Sequence, residues 1–428
     1  MSRQSESARV IGATVWLFLA CGSALAAQDR AIAIRGGTVI PVDGAVIPNG
    51  TVVMRGGKII AVGSNVAIPA GAEVVDARGK YVMPGLVDAM TSLGISSSDM
   101  NEASDPLAPQ LRISESFNPF GDFGSGQTGP LRMKELLSGG VTTMYIAPAD
   151  AAVIGGQGAV VKTAGPTLAS MIVRDPASID MTLGEQPKKA AAQRQRDPAT
   201  RMAEVALLRQ MLVRAQEYER NLVATPTLPR DLAMEALGKL LRREIPARLQ
   251  ANSPGDIRTA MNVAQEFNFD LIIDGGAAAQ VHQAALAERK IPVVLGQVSH
   301  PYVSNEEIPD KSEYPPVDEG TAAKLTAAGV KTAIASFSRA FGSLAPAGSA
   351  KWLLLDASIA TGYGMSEADV LRAVTLVPAE ILGVSTRLGS LTTGKDADVI
   401  VLDGPPLSIK TWVERVYVAG ELVHVRQR

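Results

Sequence analysis

Two hydrophobic rhythms divide this chain. Near the N-terminus apolar residues alternate or cluster in short runs between glycine pairs: residues 31–35, a turn at Gly36-Gly37, then 38–40. Residues 51–55 and 58–62 flank Gly56-Gly57 as a hairpin, and 72–76 and 80–82 continue the series. Some fifty residues of hairpins cannot bury a core alone. Matching strands appear at the other end, where 398–403 is broken by Gly404-Pro405-Pro406 and 413–418 and 421–425 form a second hairpin at Ala419-Gly420. The two ends are therefore expected to pair into one composite β-sandwich.

Between them strands and helices take turns. Short apolar runs at 86–90, 141–147, 159–163, 246–250, 270–274, 291–295 and 330–335 read as strands, and an eighth, with a weaker pattern, is placed between Thr167 and Arg174. Met202, Val205, Leu208, Leu212 and Ala215 make a helical stripe, with Asp197 as its cap and Pro198 at its first position. Ser366 opens the last helix, and Pro378 interrupts it. This alternation predicts an α/β fold, a TIM-like (β/α)8 barrel with parallel strands. Two long polar stretches, 96–130 and 300–316, follow barrel strands and are expected to shape the pocket mouth. Phe117, Phe120 and Phe123, spaced by three, are read as packing along the first loop.

Composition agrees with a globular domain pair. The 428 residues are 46% hydrophobic and 20% charged, enough for a barrel with an accessory domain. A net charge of −2, without basic runs carrying aromatics, gives no case for nucleic acid as a partner. Arg3 and Arg9, an apolar run at 10–20 and Ala24-Leu25-Ala26 match the three parts of a secretory signal peptide cleaved after Ala26. Export to the periplasm is expected, with no membrane span after cleavage. The single cysteine, Cys21, lies in that segment, so the processed chain would have no thiolate ligand. A lipoprotein reading of Cys21 is disfavoured by Phe18-Leu19-Ala20 before it.

The stretch from Met83 to Gly94 carries a further signal. Pro84-Gly85-Leu86-Val87-Asp88-Ala89-Met90-Thr91-Ser92 resembles the first barrel strand of the amidohydrolase superfamily, Pro-Gly-Leu/Phe-Ile/Val-Asp-x-His-x-His. Residues 389–403 are similar to its closing motif, Gly-x-Ile/Leu-x-x-Gly-Lys-x-Ala-Asp-Leu/Val-Val, and 375–383 to its Ala-x-Thr-x-Asn-Pro-Ala-x-x-Leu/Ile-Gly run, with Val377 at the Asn position. The resemblance, closest to imidazolonepropionase-like and periplasmic members, implies this organisation: signal peptide 1–26, sandwich 27–83, barrel 84–388, sandwich 389–428. It also implies hydrolysis of non-peptide C–N bonds or dipeptides, with water activated by zinc or another divalent metal at the C-terminal ends of the strands.

Set against that pattern, the ligand positions read Met90 and Ser92 on strand one, Gln250 on strand five with Asn252 beyond it, Gly275 on strand six, and Phe337 on strand eight. None suits a hard or borderline ion. Lys162 alone matches the family's metal-bridging lysine. The chain has three histidines, His282, His300 and His424, with no ligand spacing; His282 and His424 read as structural, and His300 could face the pocket. Gly155-Gly156-Gln157-Gly158 lacks the rest of a phosphate-binding loop, and no Gly-x-Ser-x-Gly elbow occurs. The expectation is a family member without a metal cofactor, silent or very weak, acting as partner subunit of an active homologue, in self-association, or as binder of a small amide-like ligand. A working hydrolase using Asp88, Lys162, Asp274 or His300 is the alternative, and an interaction protein of the envelope is the third.

Overall fold

The computed structural model describes residues 30–96, 98–102, 104–121, 129–296, 298, 318–338 and 350–427. The signal-peptide reading, His300 and Phe123 lie outside these residues.

Five strands come first: β1 (Ile32–Val39), β2 (Ile47–Arg55), β3 (Lys58–Gly63), β4 (Glu73–Asp76) and β5 (Tyr81–Pro84). Eight follow in the middle: β6 (Leu86–Thr91), β7 (Val141–Ile146), β8 (Ile154–Lys162), β9 (Ile172–Thr182), β10 (Ala247–Ala251), β11 (Leu271–Gly275), β12 (Val293–Leu295) and β13 (Thr332–Ile334). Three close the chain: β14 (Val399–Leu402), β15 (Val413–Val418) and β16 (Glu421–Val425).

The two ends pair as expected, in one eight-stranded sheet ordered β16-β15-β14-β5-β1-β2-β3 with β4 on β1. The seam is β14 against β5, antiparallel, with Ile400 opposite Met83 and Val401 opposite Val82. Ile34, Val52, Met54, Val82, Val399, Val401 and Tyr417 form its buried core. β5 leads straight into the barrel through Gly85, where a Cβ would sit 2.1 Å from the Thr142 hydroxyl, so the Pro-Gly joint admits no side chain.

The middle strands form the second sheet, β13-β12-β11-β10-β9-β8-β7-β6. Phe337 N–H donates to the Met90 carbonyl at 3.0 Å and Ser92 N–H to the Ser338 carbonyl at 2.9 Å, which draws the two edges into a nearly closed barrel. The fully parallel expectation needs one correction. β8 is antiparallel to both β7 and β9, while the remaining pairings are parallel. A fully buried strand carries no mark of its direction, since both faces are apolar whichever way it runs.

The eighth strand is also displaced. Thr167 caps a short helical turn, Leu168–Met171, and the strand runs Ile172–Thr182 instead of Thr167 to Arg174. The long helix is Arg201–Ala224, capped by Thr200, whose hydroxyl accepts from Ala203 N–H at 3.2 Å; Asp197 and Pro198 lie before it. Ser366 caps Glu367–Ala373 by accepting from Asp369 N–H at 3.1 Å. Phe117 is buried, and Phe120 is exposed. No described helix is long and apolar enough to cross a membrane.

Candidate functional site

Side chains on the barrel strands alternate between the helices and the barrel axis. On β10, Ala247, Leu249 and Ala251 join the helix-facing core, which turns Arg248 and Gln250 inward. On β11, Leu271 and Ile273 do the same, turning Asp274 inward. The barrel therefore holds a guanidinium at its centre. Arg248, 1% exposed, grips Asp274 with two bonds, Nε to Oδ2 at 2.9 Å and Nη2 to Oδ1 at 2.7 Å. The same Nη2 donates to the Ala89 carbonyl on β6 at 2.8 Å. The guanidinium carbon stands 3.9 Å from the centre of the Tyr145 ring on β7. Tyr145 in turn donates its hydroxyl to Asp180 on β9, at 2.8 and 2.7 Å from the two oxygens, and shares a short bond with Ser178. Arg248 Nη1 is buried without a hydrogen-bond partner.

Three carboxylates, Asp274, Asp180 and Asp88, thus act on one buried cation. Burial pushes Asp180 up to about 7, with Arg248 and the Tyr145 hydroxyl opposing. Burial pushes Asp88 up to about 6, against bonds from Ser336 N–H at 3.0 Å, the Ser336 hydroxyl, and Met90 N–H at 3.4 Å. Burial raises Asp274 too, while the charge of Arg248 and its two hydrogen bonds oppose that rise, and the neighbouring carboxylates raise Arg248 against its own burial. Tyr145 is raised by burial and by the neighbouring Asp180 charge.

Asp180 makes the stability of the fold depend on pH. Its folded value, about 7, lies above the ordinary 3.8, so the folded state holds the proton more tightly than the unfolded chain. Its contribution to stability is present below pH ~4 and lost as pH rises to ~7. Asp180→Asn removes that slope. The difference in thermal midpoint, variant minus wild type, is expected to grow from pH 4 to pH 7; a constant difference would contradict the assignment.

The sequence-predicted residues separate on this frame. Asp88 and Asp274 reach the barrel interior, but each is committed to protein donors. Arg248, bonded to Asp274 and to the residue after Asp88, stands between them as a charge and makes them poor candidates for a free acid–base pair. Lys162 is not at the mouth. Because β8 runs backwards, its last residue lies at the barrel's opposite end, with Nζ 2.5 Å from Asp398 and 3.2 Å from Asp396 at the composite sheet. A lysine committed there is removed from the C-terminal strand ends where a bridging lysine would act.

The positions that the superfamily pattern assigns to metal ligands are engaged otherwise. Met90 belongs to the apolar cluster of Val87, Ala89, Tyr145 and Val160, with Phe337 packed on it. The Ser92 hydroxyl donates to the Ala147 carbonyl at 3.3 Å, and Gln250 Nε2 to Asp150 at 3.0 Å. Gly275 has φ +82°, and a Cβ there would lie 2.4 Å from the Asn252 amide oxygen, which accepts from Ala277 N–H at 3.3 Å. Phe337 is also left-handed, at φ +48°. The Met90 thioether and the Phe337 ring suit no hard or borderline ion, Gly275 has no side chain to offer, and the Ser92 hydroxyl and Gln250 amide are already bonded within the protein. Among the described residues no group of three or more His, Cys, Asp or Glu is placed to hold one.

His282 bonds the Pro254 carbonyl at 2.8 Å through Nε2, and His424, on β16, is pushed down by burial and by Lys134 and Lys351. The residues that sequence reading missed are Arg248, Asp180 and Tyr145. The available signal was Arg248 itself, a charged residue second in a five-residue strand that is buried throughout.

Known proteins share this architecture. The model of the amidohydrolase family matches residues 279–423. An amidohydrolase from Thermotoga maritima MSB8 is 34% identical, with 92% of this chain and 100% of that one covered and a TM-score of 0.82. Amidohydrolase tasK of Hapsidospora irregularis is 27% identical over 389 residues, 82% of this chain, and the chain spans 37% of the length of that relative. A molinate hydrolase structure, 17% identical with 92% and 95% of the chains covered and a TM-score of 0.55, shares the fold. On the match to the Thermotoga protein, 34% identical and covering 92% of this chain, the chain belongs to the amidohydrolase family.

Proposed function

We propose that this is an exported member of a family of C–N bond hydrolases that has exchanged the metal centre for a fixed internal ion pair. It is silent or very weak in hydrolysis and serves as the partner subunit of a metal-bearing homologue, or as a binder of a small amide-like ligand. The observation that carries this reading is Gly275. Its left-handed backbone, and the Asn252 amide oxygen 2.4 Å from where a Cβ would sit, strain any ligand side chain at the strand-six position. The engaged side chains at 90, 92 and 250 support it, and the N-terminal charge and hydropathy pattern supports export.

The test is metal content and turnover on one preparation of the purified chain. Zinc and iron are expected well below one ion per chain, with no turnover of N-acyl amino acids, dipeptides or lactams. A stoichiometric ion, with turnover lost on chelation, overturns the proposal. Co-purification then separates the roles: a metal-bearing homologue in the complex supports the subunit role, a bound small molecule by native mass spectrometry supports the binder, and neither favours an interaction protein of the envelope. The rival, a working hydrolase, draws on Asp88, raised to about 6 as a general base would be. It is disfavoured because Asp88 is fully buried and already bonded to Ser336 and to its own strand.

A further inference from the structure

A hollow of about 700 Å³ lies under the barrel, at the strand ends opposite positions 92, 250 and 275. The residues that enter β10, β11, β12 and β13 line it, with Arg174 from the start of β9. Small-molecule sites usually measure about 300–1,000 Å³, so the hollow is large enough for one. Phe269, Ile291 and Val330, all buried, give it an apolar wall.

The charged part of the lining does not balance. Its carboxylates are Glu244, Asp270 and Glu380, and each already has a cation. Asp270 is paired with Arg243, Glu380 with Lys331 at 2.9 Å, and Glu244 with Arg242 at 2.7 Å. Arg174, Arg289 and Lys290 remain, and among the described residues no carboxylate pairs with any of them. Arg289 gives one bond, at 3.4 Å, to the Met261 carbonyl, which is neutral. Three cations thus face one hollow uncompensated, on a chain whose net charge is −2.

Arg174 is held in place by neutral groups. Its Nη1 donates to the Leu382 carbonyl at 2.9 Å and its Nη2 to the Glu244 carbonyl at 3.5 Å. Gly383, at φ +68°, makes room for the guanidinium, since a Cβ there would lie 2.1 Å from Nη1. A fork fixed by carbonyls keeps its full charge and loses little freedom on meeting an oxyanion. A metal ion finds no spare carboxylate here, and a neutral ligand would leave the three cations uncompensated. We propose that the hollow binds a small multivalent anion, with its carboxylate or phosphate groups on Arg174, Arg289 and Lys290.

The test is isothermal titration calorimetry of the purified chain with citrate, which presents carboxylates, and with pyrophosphate, at constant low ionic strength. One-to-one binding with a Kd of about 1 mM or tighter is expected for at least one probe, weakening as salt rises. Citrate alone, or pyrophosphate alone, identifies which oxyanion the site takes. The double variant Arg289→Gln with Lys290→Asn removes two charges and is expected to weaken binding at least about tenfold. Asparagine suits residue 290 because the backbone there is left-handed, at φ +55°. Both side chains are exposed, so the thermal midpoint of the unliganded double variant should stay close to that of wild type. Arg258→Gln is the control. It removes an exposed cation at the other end of the helix Pro254–Phe267, whose last turns line the hollow, and should leave binding within about twofold. Silence with both probes overturns the proposal, as does a double variant that binds as tightly as wild type. So does an equal loss in Arg258→Gln, which would make the binding a general effect of charge.

Discussion

Arg248→Leu is expected to lower the free energy of unfolding by about 3–5 kcal/mol, the usual cost of stripping one partner from a buried ion pair. The guanidinium supplies both hydrogen bonds to Asp274, one to the Ala89 carbonyl, and the positive charge over the Tyr145 ring. Leucine leaves Asp274 buried with an uncompensated carboxyl group and withdraws the charge that restrains Asp180. Both acids then protonate more readily, so the loss should be greater at pH 7 than at pH 5. Urea denaturation checks it: the midpoint falls while the denaturant slope holds. The double variant Arg248→Met with Asp274→Leu separates charge from packing. A buried pair replaced by apolar side chains of similar volume is often neutral, so the double variant should return to within about 1–2 kcal/mol of wild type. A single variant within about 1 kcal/mol of wild type would mean that the network carries little weight.

How much of this could be read from the sequence depends on which face of a strand the signal lay. Helix-facing residues such as Leu249 and Ile273 follow the hydrophobic rhythm, and the strands that contain them lie within a position or two of the expected ranges. β9 was weakest because its inward residues, Ser178 and Asp180, are polar and satisfied by Tyr145 on a strand far away in sequence. Both ends of the composite sheet were legible, because Gly56 and Gly420 mark turns with positive φ; Gly36, also at positive φ, sits at a bulge inside the continuous strand β1 and not at the turn expected there. The direction of β8 was not, and Lys162 was misplaced with it. The residue types at Met90, Ser92, Gln250, Gly275 and Phe337, the positions that the resemblance assigns to ligands, were plain in the sequence. What stands in the barrel instead was not, since the partners of Arg248 come from β6, β7 and β11 and only the fold brings them together.

Writing the superfamily ligands back into the barrel, His at 90, 92, 250 and 275 and Asp at 337, is expected to fail, and Gly275→His is the step that fails hardest. At φ +82° a side chain of L configuration costs about 1–2 kcal/mol. Its Cβ would also lie 2.4 Å from the Asn252 amide oxygen, and relieving that overlap costs about 1–3 kcal/mol more. Asn252 cannot withdraw freely, because its oxygen accepts from Ala277 N–H at 3.3 Å and its carbonyl from Ala278 N–H at 3.1 Å. Gly275→His alone should therefore lose about 2–5 kcal/mol in urea denaturation, the sum of those two costs. The single substitutions at 92 and 250 test the hydrogen bonds they remove and should lose about 1–2 kcal/mol each. The five-fold variant should take up less than one zinc per chain by metal analysis and equilibrium dialysis. If it folds and binds one zinc tightly, the barrel has kept the geometry of a metal site. In that event the Arg248–Asp274 pair sits beside a site that sequence drift alone had emptied, and the proposal of a rebuilt interior is wrong. If Gly275→His proves destabilising by that amount while the other substitutions are mild, the block lies in the turn after β11, and a glycine at this position sets the path of the chain as well as its chemistry.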